Sequence, residues 1–140
     1  MRFLLLAFTV LACSSCIAQD PYVLLRGERF TVELADTGEK QALGLMFRDH
    51  LADDHGMLFR FPGEAMRSFW MKNTRIPLDI FYFDSNLQLV SVAENAQPCR
   101  SQRCPPYPSA APAQYVLELR AGTAAELGVR PGDVLELHLD

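Results

Sequence analysis

Six consecutive residues, Phe69-Trp70-Met71-Lys72-Asn73-Thr74, put an aromatic plane, an ammonium, an amide and a hydroxyl into one short stretch of chain. Side chains of an extended strand alternate between faces, so Phe69 and Met71 share one side while Trp70 and Lys72 share the other. With Phe69 and Met71 in a core, Trp70 and Lys72 are left at the surface or in a cleft beside Asn73 and Thr74. Such a set suits a small polar ligand or a sugar ring, the ring plane giving apolar contact and the polar groups fixing orientation. A second reading of the same residues makes Trp70 a core side chain and Asn73-Thr74 a turn bonded to its own backbone. Asp79 follows after a proline. It is expected to pair with Lys72 or Arg48 or, in an enzyme, to share an acid–base role with Lys72 near Trp70. Arg48 offers a planar fork for a carboxylate, and equally a positive charge at the end of a short helix.

Cys99 and Cys104, with four residues between them, are expected to form a local disulfide that pins a proline-rich loop. Closing so short a loop stabilises the fold by about 2 kcal/mol before strain. Zinc would need four ligands, and no second Cys or His pair is at hand: His50, His55 and His138 are scattered. Met46, Met57, Met66 and Met71 are soft ligands suited to copper(I). Three of them sit inside apolar runs as core filler, however, and no Met-x-Met pair occurs. Neither a metal nor a cofactor is expected. Gly-x-Ser-x-Gly, a phosphate-cradling glycine loop and His-Glu-x-x-His are absent. The function expected is a non-catalytic binding or interaction module, its partner a small polar ligand or another envelope protein. The alternative is a small enzyme using Asp79 and Lys72.

The elements that must position these residues begin after an export signal. Arg2 is followed by an uncharged apolar run from Phe3 to Ala12, short of the roughly 20 residues a membrane helix needs. A basic start, a short apolar stretch and small residues behind it form a secretory signal peptide over residues 1–18. Cutting after Ala18 gives a soluble protein; alternatively Val10-Leu11-Ala12-Cys13 resembles a lipobox, which would lipidate Cys13. Cysteine parity favours the first, because it removes Cys13 and Cys16 together and leaves a pair suited to a periplasmic or secreted protein. The chain of 140 residues is long enough for one domain. Its net charge is −4, made more negative by loss of Arg2, and it has no basic cluster, so nucleic acid is not an expected partner. No second apolar run is long enough to cross a membrane.

Residues 19–28 read as an extended lead-in to a single domain over 29–140. Arg29–Leu34 alternates as a half-buried strand. Asp36 and Glu39 frame the start of a short helix reaching Phe47, with Leu43, Met46 and Phe47 on one side. Gly56–Phe61 reads as a strand stopped by Pro62-Gly63, and Ser68–Lys72 as another. Residues 78–93 form a β-hairpin around Asp84-Ser85-Asn86. Five prolines (Pro98, Pro105, Pro106, Pro108, Pro112) keep 94–114 largely in loop. Gln114–Leu119 is a strand in which Tyr115, Leu117 and Leu119 alternate against Val116 and Glu118. Thr123 and Glu126 form a capping box with Gly128 as the helix stop, and Val134–Leu139 is a last strand with Leu135, Leu137 and Leu139 inward. About seven short strands and two short helices imply a mostly β fold, a compact barrel- or sandwich-like sheet.

Five blocks occur in order: Gly44-Leu45-Met46-Phe47-Arg48, Gly56-Met57-Leu58-Phe59, Phe69–Thr74, Pro77-Leu78-Asp79 and Tyr115–Leu119, with Gly132-Asp133 behind them. Together they resemble the family catalogued as domain of unknown function 192, from about Phe30 to Leu139. The resemblance implies a small bacterial or archaeal protein, often exported, with a β-rich distorted barrel or sandwich. It brings no catalytic residue and no cofactor. Many members are similar in the Pro98–Pro105 loop, paired cysteines included.

Overall fold

Short strands cannot bury an apolar face alone and must pair into a sheet. The computed structural model describes residues 19–140; the expected signal peptide over 1–18 and the expected lipidation site Cys13 lie outside them. In chain order the elements are β1 (Tyr22–Leu25), β2 (Glu28–Ala35), α1 (Gly38–Leu43), β3 (His55–Ala65), β4 (Ser68–Phe69) and β5 (Leu78–Phe83). There follow β6 (Leu89–Ala96), β7 (Tyr107–Pro108), β8 (Ala113–Arg120), α2 (Thr123–Leu127) and β9 (Leu135–His138). Seven strands form one sheet in the order β6-β5-β8-β3-β2-β1-β9, curled into a half-barrel, while β4 and β7 pair separately. The fold is mostly β, as expected. All neighbours in the large sheet are antiparallel except β2 and β3.

Both faces of the central strands are covered. Leu58, Phe81, Leu117 and Leu119 point into one apolar cluster with Val23, Phe30 and Leu135. Their sequence neighbours Met57, Phe59, Ile80, Tyr82 and Val116 point into a second, with Leu45, Leu51 and Met71. This is why β5 reads Leu-Asp-Ile-Phe-Tyr-Phe without a polar face: all six residues are buried. The second cluster is roofed by residues 36–54 and by the β4–β7 ribbon.

Several expectations are corrected. The lead-in contains β1, a full sheet member between β2 and β9. Its Val23 and Leu25 alternate inward, and Arg26 (φ 50°) and Gly27 (φ 82°) supply the left-handed pair of a tight hairpin. Pro62-Gly63 interrupts β3 without ending it: pairing with β8 shifts between Arg60 and Ala65 and then resumes. The strand over 68–72 shrinks to Ser68–Phe69, because left-handed Asn73 (φ 54°) turns the chain away. Helix α1 stops at Leu43, so Leu43 and Phe47 are exposed and Leu45 takes the buried position. Its cap is Thr37, whose hydroxyl accepts the Lys40 N–H at 3.3 Å, while Asp36 pairs with Lys40 and Arg60. At α2 the capping box does not form. Gly122 is the cap, the Thr123 hydroxyl donates to Arg120 O, and Glu126 pairs with Arg120.

The β5–β6 hairpin agrees with expectation, and Asp84 makes its turn by accepting the Asn86 and Gln88 N–H groups at 2.9 Å. Among the described residues no helix is long and apolar enough to cross a membrane.

Candidate functional site

Strand β8 runs between β3 and β5, and Glu118 stands on it opposite Met57 on one side and Ile80 on the other. Alternation aims its neighbours Leu117 and Leu119 into the first cluster, so Glu118 is aimed at the second. Its side chain is buried, the residue 5 % exposed. No hydrogen-bond donor among the described residues reaches the carboxyl, and burial pushes it up to about 8.

Above Glu118 lies an open cavity of about 300 Å³. Phe59 and Phe61 of β3, Phe69 of β4 and Trp70 supply aromatic walls; α1 and the Gly44–Met46 turn close one side, and Thr74 lines the other. Phe69 is the hub of the aromatic group. It meets Phe59 edge-to-face at 4.8 Å between centroids, Tyr82 at 6.0 Å and Phe61 at 6.5 Å. Gly44 lets α1 end against this wall: its φ is 48°, and a Cβ there would press on the Phe59 ring at 3.4 Å. Gly56 plays a second part, since a Cβ on it would lie 2.5 Å from Glu118 O and bar β8 from passing.

The pocket rim is braced through the backbone. Phe47 (φ 65°) and Asn73 (φ 54°) are both left-handed, an unusual state for a bulky aromatic residue. The Phe47 N–H donates to Asn73 O at 2.8 Å, and the Asn73 N–H donates to Cys99 O at 2.9 Å. The Cys99 N–H in turn donates to Met71 O at 3.1 Å, and Cys99 is joined to Cys104 with 5.8 Å between Cα atoms. The disulfide loop thus holds residues 71–73, and these hold residue 47. Strain held in place by neighbours is a recurrent feature of ligand sites.

The sequence-predicted residues separate. Trp70, 51 % exposed, and buried Thr74 line the pocket. Lys72 lies outside the lining with its ammonium 5.2 Å over the Trp70 ring, and Asn73 serves the brace. Asp79 pairs with neither Lys72 nor Arg48. It is 0 % exposed on β5 and accepts three backbone N–H groups: Asn95 at 2.8 Å, Gly122 at 3.1 Å and Ala124 at 2.8 Å. That carboxylate ties the β6 bend to the start of α2. Arg48 is not at a helix end. Its fork engages Glu33 of β2, one arm at 2.8 Å, and this contact holds the Glu33 carboxyl below its ordinary range. The pair lines a separate groove of about 640 Å³ with Lys40, His50 and His55. Among the described residues no group of three His, Cys, Asp or Glu side chains could hold a metal ion.

Glu118 is the residue that sequence reasoning missed. The available signal was one carboxylate inside the apolar strand Val116-Leu117-Glu118-Leu119. Alternation alone sends it to solvent, and only a sheet covered on both faces buries it.

Comparison with known proteins matches residues 22–137 to the DUF192 family model, described as an uncharacterized ACR. The chain superimposes on a crystal structure of a protein of unknown function from Novosphingobium aromaticivorans with a TM-score of 0.74 and 42% identity, over 83% of this chain and 82% of that one. A Sinorhizobium meliloti protein described as a candidate transcription regulator gives a TM-score of 0.74 and 41% identity, over 84% and 91%. No curated protein matches the chain.

Proposed function

The chain belongs to the DUF192 family, and we propose that it is an exported, non-catalytic binding module that takes a small ligand into the pocket over Glu118. The observation that carries this reading is a nine-tenths-buried carboxyl, without a hydrogen-bond donor among the described residues, facing an open aromatic cavity. Four separated segments (Gly44–Met46, Phe59, Phe69–Thr74 and Glu118) meet at this one cavity. Each belongs to a block on which the family resemblance rests. Export is supported by the apolar leader and by the cysteine pair, which suits an oxidising compartment. The regulator description of the Sinorhizobium relative is not adopted for this chain. The two helices among the described residues have six and five residues, short for an element that must reach along a DNA groove.

The chain has a single tryptophan, and it stands on the pocket rim. A screen of small amphipathic compounds read by Trp70 emission therefore reports on this site alone. The expected result is a set of ligands that shift the emission of the natural protein and lose at least tenfold in affinity with Glu118→Leu. Ligands bound equally by both proteins would sink the reading.

One observation favours a second reading. A carboxyl held near neutrality is what a general acid requires. Turnover of a screened ligand, abolished by Glu118→Gln while binding persists, would establish an enzyme instead.

A further inference from the structure

We infer that the pocket selects an organic amine, with an ammonium seated at Glu118 and an apolar or aromatic body between Phe59, Phe61, Phe69 and Trp70. This inference rests on the pocket reading above and adds the class of ligand.

The donors of the lining, the Ser68 hydroxyl and the Trp70 indole N–H, belong to exposed residues, and its less exposed polar groups offer mainly acceptors. The Gln41 amide donates to Ala35 O at 3.2 Å and to Arg60 O at 2.9 Å. Both of its hydrogens are engaged, and its carbonyl oxygen is what remains to offer. The Thr74 hydroxyl donates to Lys72 O at 3.3 Å, which leaves its lone pairs. Glu118, once ionised, adds two acceptor oxygens. An ammonium carries three donors and no acceptor, the complement of this set. A neutral carbonyl ligand would find the protonated Glu118 and the exposed Ser68 and Trp70 donors, and a carboxylate would have to share the single Glu118 proton without gaining an opposite charge.

The walls agree with the floor. Aromatic faces attract cations, and this surface already displays the effect. The Lys72 ammonium lies 5.2 Å over Trp70, and the Arg67 guanidinium lies 3.9 Å over Phe61. Arg67 is tied to Ala113 O and Gly63 O, and neither cation lines the cavity. The lining has one titratable side chain, Glu118. Met57, Phe59, Ile80 and Gln41, from β3, β5 and α1, bring no second charge against it. Tyr82 is held neutral by burial and by Glu118, its hydroxyl donating to Tyr107 O. Burial keeps the empty site protonated at neutral pH, so seating an ammonium expels that proton.

The test is a titration of the natural protein at pH 7 with 2-phenylethylamine, 2-phenylethanol and 3-phenylpropionate, followed by Trp70 emission. The amine is expected to bind about tenfold tighter than the alcohol, with the carboxylate weakest. Calorimetry in phosphate and in Tris should show about one proton released per amine bound. Glu118→Gln should remove the advantage of the amine over the alcohol. Alcohol or carboxylate binding as tight as the amine overturns the amine assignment and leaves the pocket reading standing. Silence from all three overturns both. The three-probe comparison needs no variant, so a misfolded Glu118→Gln leaves it decisive.

Discussion

Asp79 and Glu118 sit on adjacent strands of the same sheet, both buried, and they are used in opposite ways. Asp79 is met by three backbone N–H groups at the corner where β6, β8 and α2 converge. Glu118, one strand away, is met by none among the described residues and faces a cavity. The first carboxylate is consumed by the fold; the second is kept open by it. Residue type and burial alone would have ranked them equal, so the inventory of partners is what separates scaffold from site.

The comparison can be broken most severely at Asp79. Asp79→Leu removes a charged acceptor shared by three backbone N–H groups, that of Ala124 buried, and should destabilise the protein by about 5 kcal/mol, measured by urea unfolding. A loss under about 1 kcal/mol would show that the corner does not depend on it.

Glu118 should behave in the reverse sense. Its folded-state value of about 8 exceeds the ordinary 4.5, so the folded state binds the extra proton between them and stability falls as pH rises through that window. Glu118→Gln should match the natural protein at pH 4, then exceed it by about 3 kcal/mol at pH 7 and somewhat more at pH 8.5. Parallel stability curves for the two proteins would remove the contrast with Asp79.

Smaller effects sharpen the picture around the pocket. Reducing Cys99–Cys104, or replacing both with serine, should cost about 2 kcal/mol. It should also raise acrylamide quenching of Trp70, because the loop braces residues 71–73. Lys72→Ala should cost about 0.5 kcal/mol, the scale of an exposed cation–π contact, and leave amine binding intact since Lys72 lies outside the lining.

Much of the fold was legible because its causes are local. The alternation in Arg29–Leu34, the Asx turn at Asp84 and the Cys99–Cys104 spacing each depend on residues within a few positions. What stayed hidden depends on distance. The donors to Asp79 come from Asn95, Gly122 and Ala124, and no spacing rule near Asp79 points to them. Trp70 and Thr74, which line the cavity, stood out in the sequence because their types are unusual together. Glu118 did not, because period-two reasoning assumes that the off-face of a strand meets water, and here the chain between β2 and β3 lies over it.

That connection owes its existence to direction. β2 and β3 are the sheet's one parallel pair, and parallel neighbours cannot be joined by a tight turn. The chain leaving Ala35 must travel back a full strand length before re-entering at His55, and this return trip carries α1 and the Gly44–Met46 turn over the sheet. An antiparallel pairing at the same place would need two residues and would remove the 41–46 wall of the cavity over Glu118. The recess is therefore a by-product of topology. Insertions or substitutions along the return path could reshape what it admits while every ladder beneath stays in register.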